Sequence, residues 1–239
     1  MINPIISIGT GNFYYWNLSL VQKLRYLRDI SGISGIEISC VPHGTVFSEE
    51  EISLLSAYSH NTLHLWKYDA VDREWMNYCK KTIPHFCHFV AHPDTTNLED
   101  IDTEIEEYLS FENMDPRKTA YQTAEEMRIL FTRFSRAKFT FDINHAAENN
   151  LSRNRFQILQ KPEQIHFSTV NQDFYPAFPE IETPHALAHL DRDFNPHIDS
   201  FISPDTIITL EGVFPPNDRK SIENEILFAQ ISFDLSAKN

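Results

Sequence analysis

Short apolar segments rich in β-branched and aromatic residues alternate along this chain with longer segments in which apolar residues recur every three or four positions. This alternation is typical of βα units, which assemble into a parallel sheet. Strands are predicted at residues 5–8, 35–40, 62–66, 88–92, 109–113, 139–143, 164–169 and 206–211. Eight such units predict an α/β fold of the (β/α)8 barrel class, and 239 residues suit one barrel domain spanning residues 1–239.

Helices are predicted at residues 18–30, 49–59, 72–83, 118–134 and 222–231, where the apolar residues follow a helical period. Ser48 comes directly before three glutamates, which is typical of a helix N-cap and its first turn. Residues 171–204 are rich in Pro, Asp and His. They predict a long loop or lid between strands 7 and 8, so the barrel is expected to be compact or slightly irregular.

The composition narrows the class of protein. Apolar residues make up 41% of the chain and aromatic residues 13%, as in globular proteins. The formal net charge of -14 repels polyanions, so nucleic acid is not an expected partner. Three cysteines without a CxxC pair fit a reducing compartment, and no segment resembles a signal peptide or a membrane span. We expect a cytoplasmic protein without a membrane partner.

The predicted strands carry ionisable residues on one face. Side chains alternate along a strand, so one set faces the helices of a barrel and the other faces its interior. In the fifth strand the apolar set is Leu109 and Phe111, which turns Ser110 and Glu112 inward. The same test turns inward Glu37, His64, His92, Asp142, His166 and Glu211. Most of them lie at the C-terminal ends of strands, where barrel enzymes hold their active sites.

Carboxylates gathered at one end of a barrel repel one another unless a cation or a shared proton offsets their charge. Histidine nitrogens together with carboxylate oxygens form the ligand set of Mn, Zn, Fe or Co. The sequence therefore predicts a site for one divalent metal, with Mn or Zn first and Co or Fe as alternatives. His185 and His189 are further candidates, whereas His43, His60, His85, His88 and His197 are interpreted as structural or surface residues.

The segments that carry these residues resemble a known family. They are Gly35-Ile36-Glu37-Ile38, Leu63-His64-Leu65, Val90-Ala91-His92-Pro93, Ser110-Phe111-Glu112-Asn113-Met114, Asp142-Ile143-Asn144-His145-Ala146, Ile165-His166-Phe167-Ser168 and Ile208-Thr209-Leu210-Glu211. In order and spacing, over nearly the whole chain, they are similar to the xylose isomerase-like TIM-barrel superfamily. That superfamily includes sugar and sugar-phosphate isomerases and epimerases, hydroxypyruvate isomerase and the endonuclease IV family.

The resemblance implies a metal-dependent isomerase or epimerase that acts on a small sugar or hydroxycarbonyl compound through an enediolate. The metal ligands of the family fall on Glu112, Asp142, His166 and Glu211, and its nearby histidine falls on His145. Glu112 and Glu211 are expected to exchange the substrate proton, with His145 as a further catalytic residue. His64, His92 and Glu37 are expected to bind the substrate.

Two alternatives stay open. The first is an endonuclease IV-like phosphodiesterase in which His64, His92 and His185 hold further metals. The second is a non-catalytic metal-binding barrel, because a fold does not settle a function.

Two features of the chain depart from the pattern of the superfamily. The nucleases carry Asp-x-His after strand 7, where this chain has Thr183-Pro184-His185. The epimerases usually place an arginine shortly after the strand 7 histidine, and this chain has none between His166 and Arg192. The first departure weighs against a nuclease, and the second leaves the particular sugar open.

Overall fold

The structure is a computed structural model that describes residues 4–39, 41–65, 73–151, 153–170, 185–194 and 202–233. Eight parallel strands close into a barrel in which each strand pairs with the next along the chain and the last pairs with the first. They are β1 (Ile5–Gly9), β2 (Gly35–Ile38), β3 (His60–Leu65), β4 (Phe86–Ala91), β5 (Leu109–Glu112), β6 (Lys138–Asp142), β7 (Gln164–Phe167) and β8 (Ile207–Leu210). The predicted (β/α)8 barrel is confirmed.

Helices connect successive strands around the outside of the barrel. The α-helices are α1 (Leu20–Arg28), α2 (Glu49–Leu55), α3 (Arg73–Thr82), α4 (Thr103–Glu106), α5 (Ala124–Arg133), α6 (Ile143–Glu148) and α7 (Arg219–Ser232). Short 3-10 helices lie at Thr10–Trp16, Leu98–Asp100, Arg153–Ile158 and Ala188–Leu190. No helix in the described part of the chain has both the length and the apolar character that a membrane crossing needs.

Several predicted boundaries differ from the structure by a few residues, and the local structure explains two of them. The helix predicted from residue 118 begins at Ala124, because Tyr121 has a φ of 64° and the Thr123 side chain caps the helix by accepting from the Glu126 N–H. The sixth strand does not continue to Ile143. The Asp142 side chain accepts from the N–H of His145, so α6 begins directly after the strand.

The loop predicted between strands 7 and 8 lies largely outside the described residues, as do the predicted ends of strands 2 and 3 at residues 40 and 66. Of that loop, residues 185–194 and 202–204 are described. Thr169 and Ala186 form a β-bridge there, and the Glu225 carboxylate of α7 accepts hydrogen bonds from the backbone N–H groups of Ala188 and His189. The length and character of the whole loop stay a prediction.

Aromatic side chains fill the layer between the strands and the helices. The rings of Phe111 in β5 and Phe139 in β6, for example, both contact Phe131 of α5. The fully buried phenylalanines are Phe13, Phe89, Phe111, Phe139, Phe141, Phe156, Phe167, Phe214 and Phe233. Since burying one such side chain stabilises a fold by about 1.5–3 kcal/mol, this outer layer is a major source of stability. The barrel interior can therefore hold polar side chains.

Candidate metal centre

Four side chains from four neighbouring strands meet at the C-terminal mouth, the end of the barrel where the strands end. Glu112 ends β5, Asp142 ends β6, His166 is the third residue of β7 and Glu211 directly follows β8. One ligand atom of each lies within 4.8 Å of the corresponding atoms of the others. Nδ1 of His166 lies 3.2 Å from Oε1 of Glu112, 3.1 Å from Oε1 of Glu211 and 3.9 Å from Oδ2 of Asp142. The alternation of side chains along the strands thus gave the correct inward face for each.

Asp142 has one oxygen that the described part of the protein leaves without a hydrogen bond. Its Oδ1 accepts from the N–H of His145 at 2.8 Å and caps α6, whereas its buried Oδ2 has no hydrogen-bond partner among the described residues. Burial raises the pKa of Asp142 to about 6. A buried carboxylate oxygen without a partner is costly, and a cation is one group that would satisfy it. Two glutamates, one aspartate and one histidine fit a first-row divalent metal.

Glu112 lies at the centre of the cluster, and its two oxygens face different partners. Oε2 lies 3.2 Å from Nε2 of His64 and 3.1 Å from Nε2 of His92, while Oε1 lies 3.3 Å from Nδ1 of His145 and 3.2 Å from Nδ1 of His166. Burial alone would raise the pKa of Glu112, but the charges and hydrogen bonds of these histidines hold it well below its usual value. Glu112 is therefore an ionised carboxylate that is available as a ligand.

Glu211 is the more accessible of the two glutamates. Its side chain is 17% exposed, against 1% for Glu112. Burial raises the pKa of Glu211 well above its usual value, and the carboxylates of Asp142 and Glu112 add to the shift. The exposure and the raised pKa of Glu211 suit proton exchange with a small molecule in the mouth.

His185 lies at the edge of the cluster. Its Nδ1 is 3.0 Å from Oγ of Ser168 and 3.6 Å from Oε2 of Glu211, and its ring centroid is 5.5 Å from that of His145. Asp142, His145 and His185 form a further group whose ligand atoms lie within 4.8 Å of one another, and so do His64, His92 and Glu112. The mouth therefore has the donor atoms for more than one cation.

Other predicted residues have different positions. His189 is outside the cluster, where its Nδ1 lies 2.6 Å from Oε2 of the buried Glu225. Glu37 is 1% exposed and lies behind His166, with Oε2 3.1 Å from Nε2 of that ring. Glu37 also forms a group of possible ligands with His64, His166 and Glu211, and its expected contact with a substrate stays a prediction.

Arg117 is a residue at the mouth that the sequence reasoning missed. Its Nε donates to Oδ1 of the buried Asp115 at 2.7 Å, and Oδ2 of Asp115 lies 3.8 Å from Nε2 of His145. The Arg117 side chain is 57% exposed. The position of Asp115-Pro116-Arg117 in the loop after strand 5 was its only signal, because loops after barrel strands carry functional residues. The Asp115 carboxylate thus lies between the Arg117 guanidinium and the ring of His145.

The fold and the cluster together define a parallel (β/α)8 barrel with a candidate metal centre at its C-terminal mouth. No family model matches the chain, and no curated protein matches it in sequence. Among solved structures, the chain is similar to a protein from Rhodospirillum rubrum ATCC 11170 described as a "Putative Xylose isomerase", with a TM-score of 0.56 and 13% sequence identity. The similarity covers 99% of each chain and shows a shared barrel fold.

Proposed function

We propose that this protein is a metal-dependent isomerase or epimerase of a small sugar or hydroxycarbonyl compound. One observation carries the proposal: the ligand atoms of Glu112, Asp142, His166 and Glu211 lie within 4.8 Å of one another at the barrel mouth, and Oδ2 of Asp142 has no hydrogen-bond partner among the described residues. The name of the Rhodospirillum rubrum protein supports a sugar-type substrate. The position of the cluster at the C-terminal mouth supports an active site there.

The residues have separate roles in this proposal. Glu112, Asp142, His166 and Glu211 would hold the cation. A bound divalent cation would supply a Lewis acid that lowers the free energy of an enediolate. Glu211 would exchange the α-carbon proton of the substrate, since it is the accessible carboxyl group of the four. Glu112 would act as its acid and base counterpart, and the buried rings around it keep its carboxylate ionised.

The rim of the cluster would bind the substrate. His64 and His92 are 11% and 13% exposed and both contact Glu112, so they can reach a substrate hydroxyl and the carboxylate together. His145 is fixed by a contact of 2.8 Å between its Nδ1 and the backbone oxygen of Asn113. Arg117 would bind an anionic group such as a phosphate or carboxylate, because guanidinium groups pair with both.

The test is exchange of the α-carbon hydrogen with deuterated water. Purified protein would be loaded with Mn²⁺, Co²⁺ or Zn²⁺ and incubated with small ketoses, aldoses and hydroxyketones, each with and without a phosphate group. The proposal predicts exchange into at least one compound, lost when a chelator removes the metal. A panel in which no compound exchanges under any metal would contradict it and favour a non-catalytic metal-binding barrel.

A metal-dependent phosphodiesterase is the second candidate, and the group of His64, His92 and Glu112 favours it. That group would hold a second cation next to the first, as a two-metal mechanism of phosphate hydrolysis requires. The net charge of -14 weighs against a nucleic-acid substrate. Two results together would place this candidate first. The metal-loaded protein would have to hydrolyse a simple phosphodiester, and it would have to bind duplex DNA with a Kd well below about 10⁻⁶ M at physiological salt.

A further inference from the structure

Three fully buried polar side chains form a chain of hydrogen bonds behind the candidate metal centre. Nε2 of His88, in β4, lies 2.8 Å from Oε1 of Gln164, in β7. Nε2 of Gln164 donates to Oε2 of Glu37, in β2, and that oxygen lies 3.1 Å from Nε2 of His166. Three strands thus place these hydrogen-bonded side chains next to Nε2 of His166, whereas Nδ1 of the same ring faces Glu112 and Glu211.

The direction of each hydrogen bond follows from the protonation state of His88. Burial lowers the pKa of His88 to about 3, so its ring is neutral and carries one N–H. Its Nδ1 has no hydrogen-bond partner within the described residues, so the proton on Nε2 is the one that can donate. With Oε1 of Gln164 accepting from His88, the NH₂ group of Gln164 is turned toward Glu37 and His166.

The hydrogen bond between Glu37 and His166 then determines which nitrogen of His166 carries a proton. Nε2 of Gln164 lies within hydrogen-bond distance of both Oε2 of Glu37 and, at 2.9 Å, Nε2 of His166, so the amide has two candidate acceptors. A carboxylate accepts a hydrogen bond more strongly than an imidazole nitrogen does. A proton on Nε2 leaves the lone pair of Nδ1 directed at Glu112, Asp142 and Glu211.

We propose that His88 and Gln164 are positioning residues that fix the tautomer of His166 through Glu37, so that Nδ1 is free to bind the cation. The inference rests on the proposed metal centre and assigns a role to two residues outside it. An outer partner of this kind sets the orientation and basicity of a ligating histidine, and its loss costs on the order of 10- to 100-fold in metal affinity.

The test compares metal affinity in Gln164→Met with that in Thr140→Val, by competition with a chelator. Thr140 is the register partner of Gln164 in β6, is equally buried and is bonded to Ser110 at 2.6 Å, so its variant is a matched control for a lost interior hydrogen bond. We expect Gln164→Met to bind Mn²⁺ or Zn²⁺ on the order of 10- to 100-fold more weakly, and Thr140→Val to bind like the parent. Equal affinities in the parent and Gln164→Met, or equal losses in both variants, would overturn the inference.

A second measurement needs no variant. The ¹⁵N shifts of His166 in the zinc-loaded parent should show a proton on Nε2 and a metal bond at Nδ1. A proton on Nδ1 would mean that Gln164 donates to the ring instead of to Glu37 and would overturn the inference. A parent that binds no metal would overturn the proposed function as well, whereas a parent that binds metal through Nε2 would overturn this inference alone.

Discussion

Oε2 of Glu112 lies 3.1 Å from Nε2 of His92, although the other oxygen of the same carboxylate faces the four-residue cluster. Glu112 is therefore shared between two groups of potential ligands. The two proposed functions assign different roles to His92. In an isomerase His92 contacts the substrate, and in a phosphodiesterase it binds a second cation.

Metal content should separate those two roles of His92. We expect the parent to bind one divalent metal per chain, Asp142→Asn to lose it and His92→Ala to keep it. Asparagine still caps α6, because it accepts a hydrogen bond as aspartate does, but it lacks the negative charge. Elemental analysis after purification without a chelator measures the content. Two metals in the parent, one of which is lost in His92→Ala, would favour the phosphodiesterase.

Metal affinity should rise with pH. Burial raises the pKa of Asp142 to about 6 and that of Glu211 well above its usual value. Burial alone would lower the pKa of His166, but the carboxylates of Glu211, Glu37 and Glu112 raise it well above its usual value. The metal-free site thus holds protons near neutral pH that a cation must displace.

Proton release on binding is the measurement that checks this pH dependence. We expect at least one proton per metal in a weakly buffered solution at pH 7, and an affinity that increases about tenfold per pH unit for each proton released. Thr140→Val, which keeps all four predicted ligands, is the control and should release as many protons as the parent. An affinity that is constant between pH 6 and 8 would show that these groups do not bind the metal.

Glu211→Gln should separate catalysis from metal binding. Glutamine keeps an oxygen donor and a similar volume but loses the basic carboxylate. Since general acid and base catalysis is worth on the order of 10²- to 10⁴-fold in rate, hydrogen exchange should fall by at least about 10²-fold, more than metal occupancy does. Thermal melting controls for an intact fold. Exchange that continues at the parent rate would remove Glu211 from the proton-transfer role.

The barrel itself can be tested at Gly35 in β2. A Cβ at this position would collide with the backbone oxygen of His60 in β3. Gly35→Ala should therefore lower the free energy of unfolding by about 3 kcal/mol or more, because two paired strands must separate. Gly44→Ala is the control: nothing lies within 4 Å of its Cβ, and its φ of +78° costs about 1–2 kcal/mol. Urea unfolding would contradict the packing if Gly35→Ala lost no more stability than Gly44→Ala.

The strand pattern of the sequence was sufficient to predict the barrel and the convergence of the four predicted ligands. Alternation along β5 and β6 turned Glu112 and Asp142 inward, and the structure brings them together as that pattern predicts. The period of apolar residues could not distinguish a strand from a short helix at Ile143. There the cap formed by the Asp142 side chain starts a helix. At the start of α5, the cap formed by Thr123 and Glu126 was present in the sequence and overlooked.

The hydrogen bonds by which Gln164 and His88 support His166 could not be predicted in the same way. Gln164 lies two residues before His166 and shares its inward face, but a single glutamine in a strand has many uses. His88 became informative only when the barrel brought it within 2.8 Å of Gln164, across 76 residues of sequence. Such contacts form only when the barrel closes, and the local period of apolar residues does not predict which distant side chains closure brings together.

Crystals soaked with Mn²⁺ test the central claim most directly, since the anomalous signal locates the ion. The account predicts a peak at roughly 2.0–2.3 Å from oxygens of Glu112, Asp142 and Glu211 and from Nδ1 of His166. A peak bound by other residues, or no peak at an Mn²⁺ concentration that saturates the protein in solution, would contradict the account.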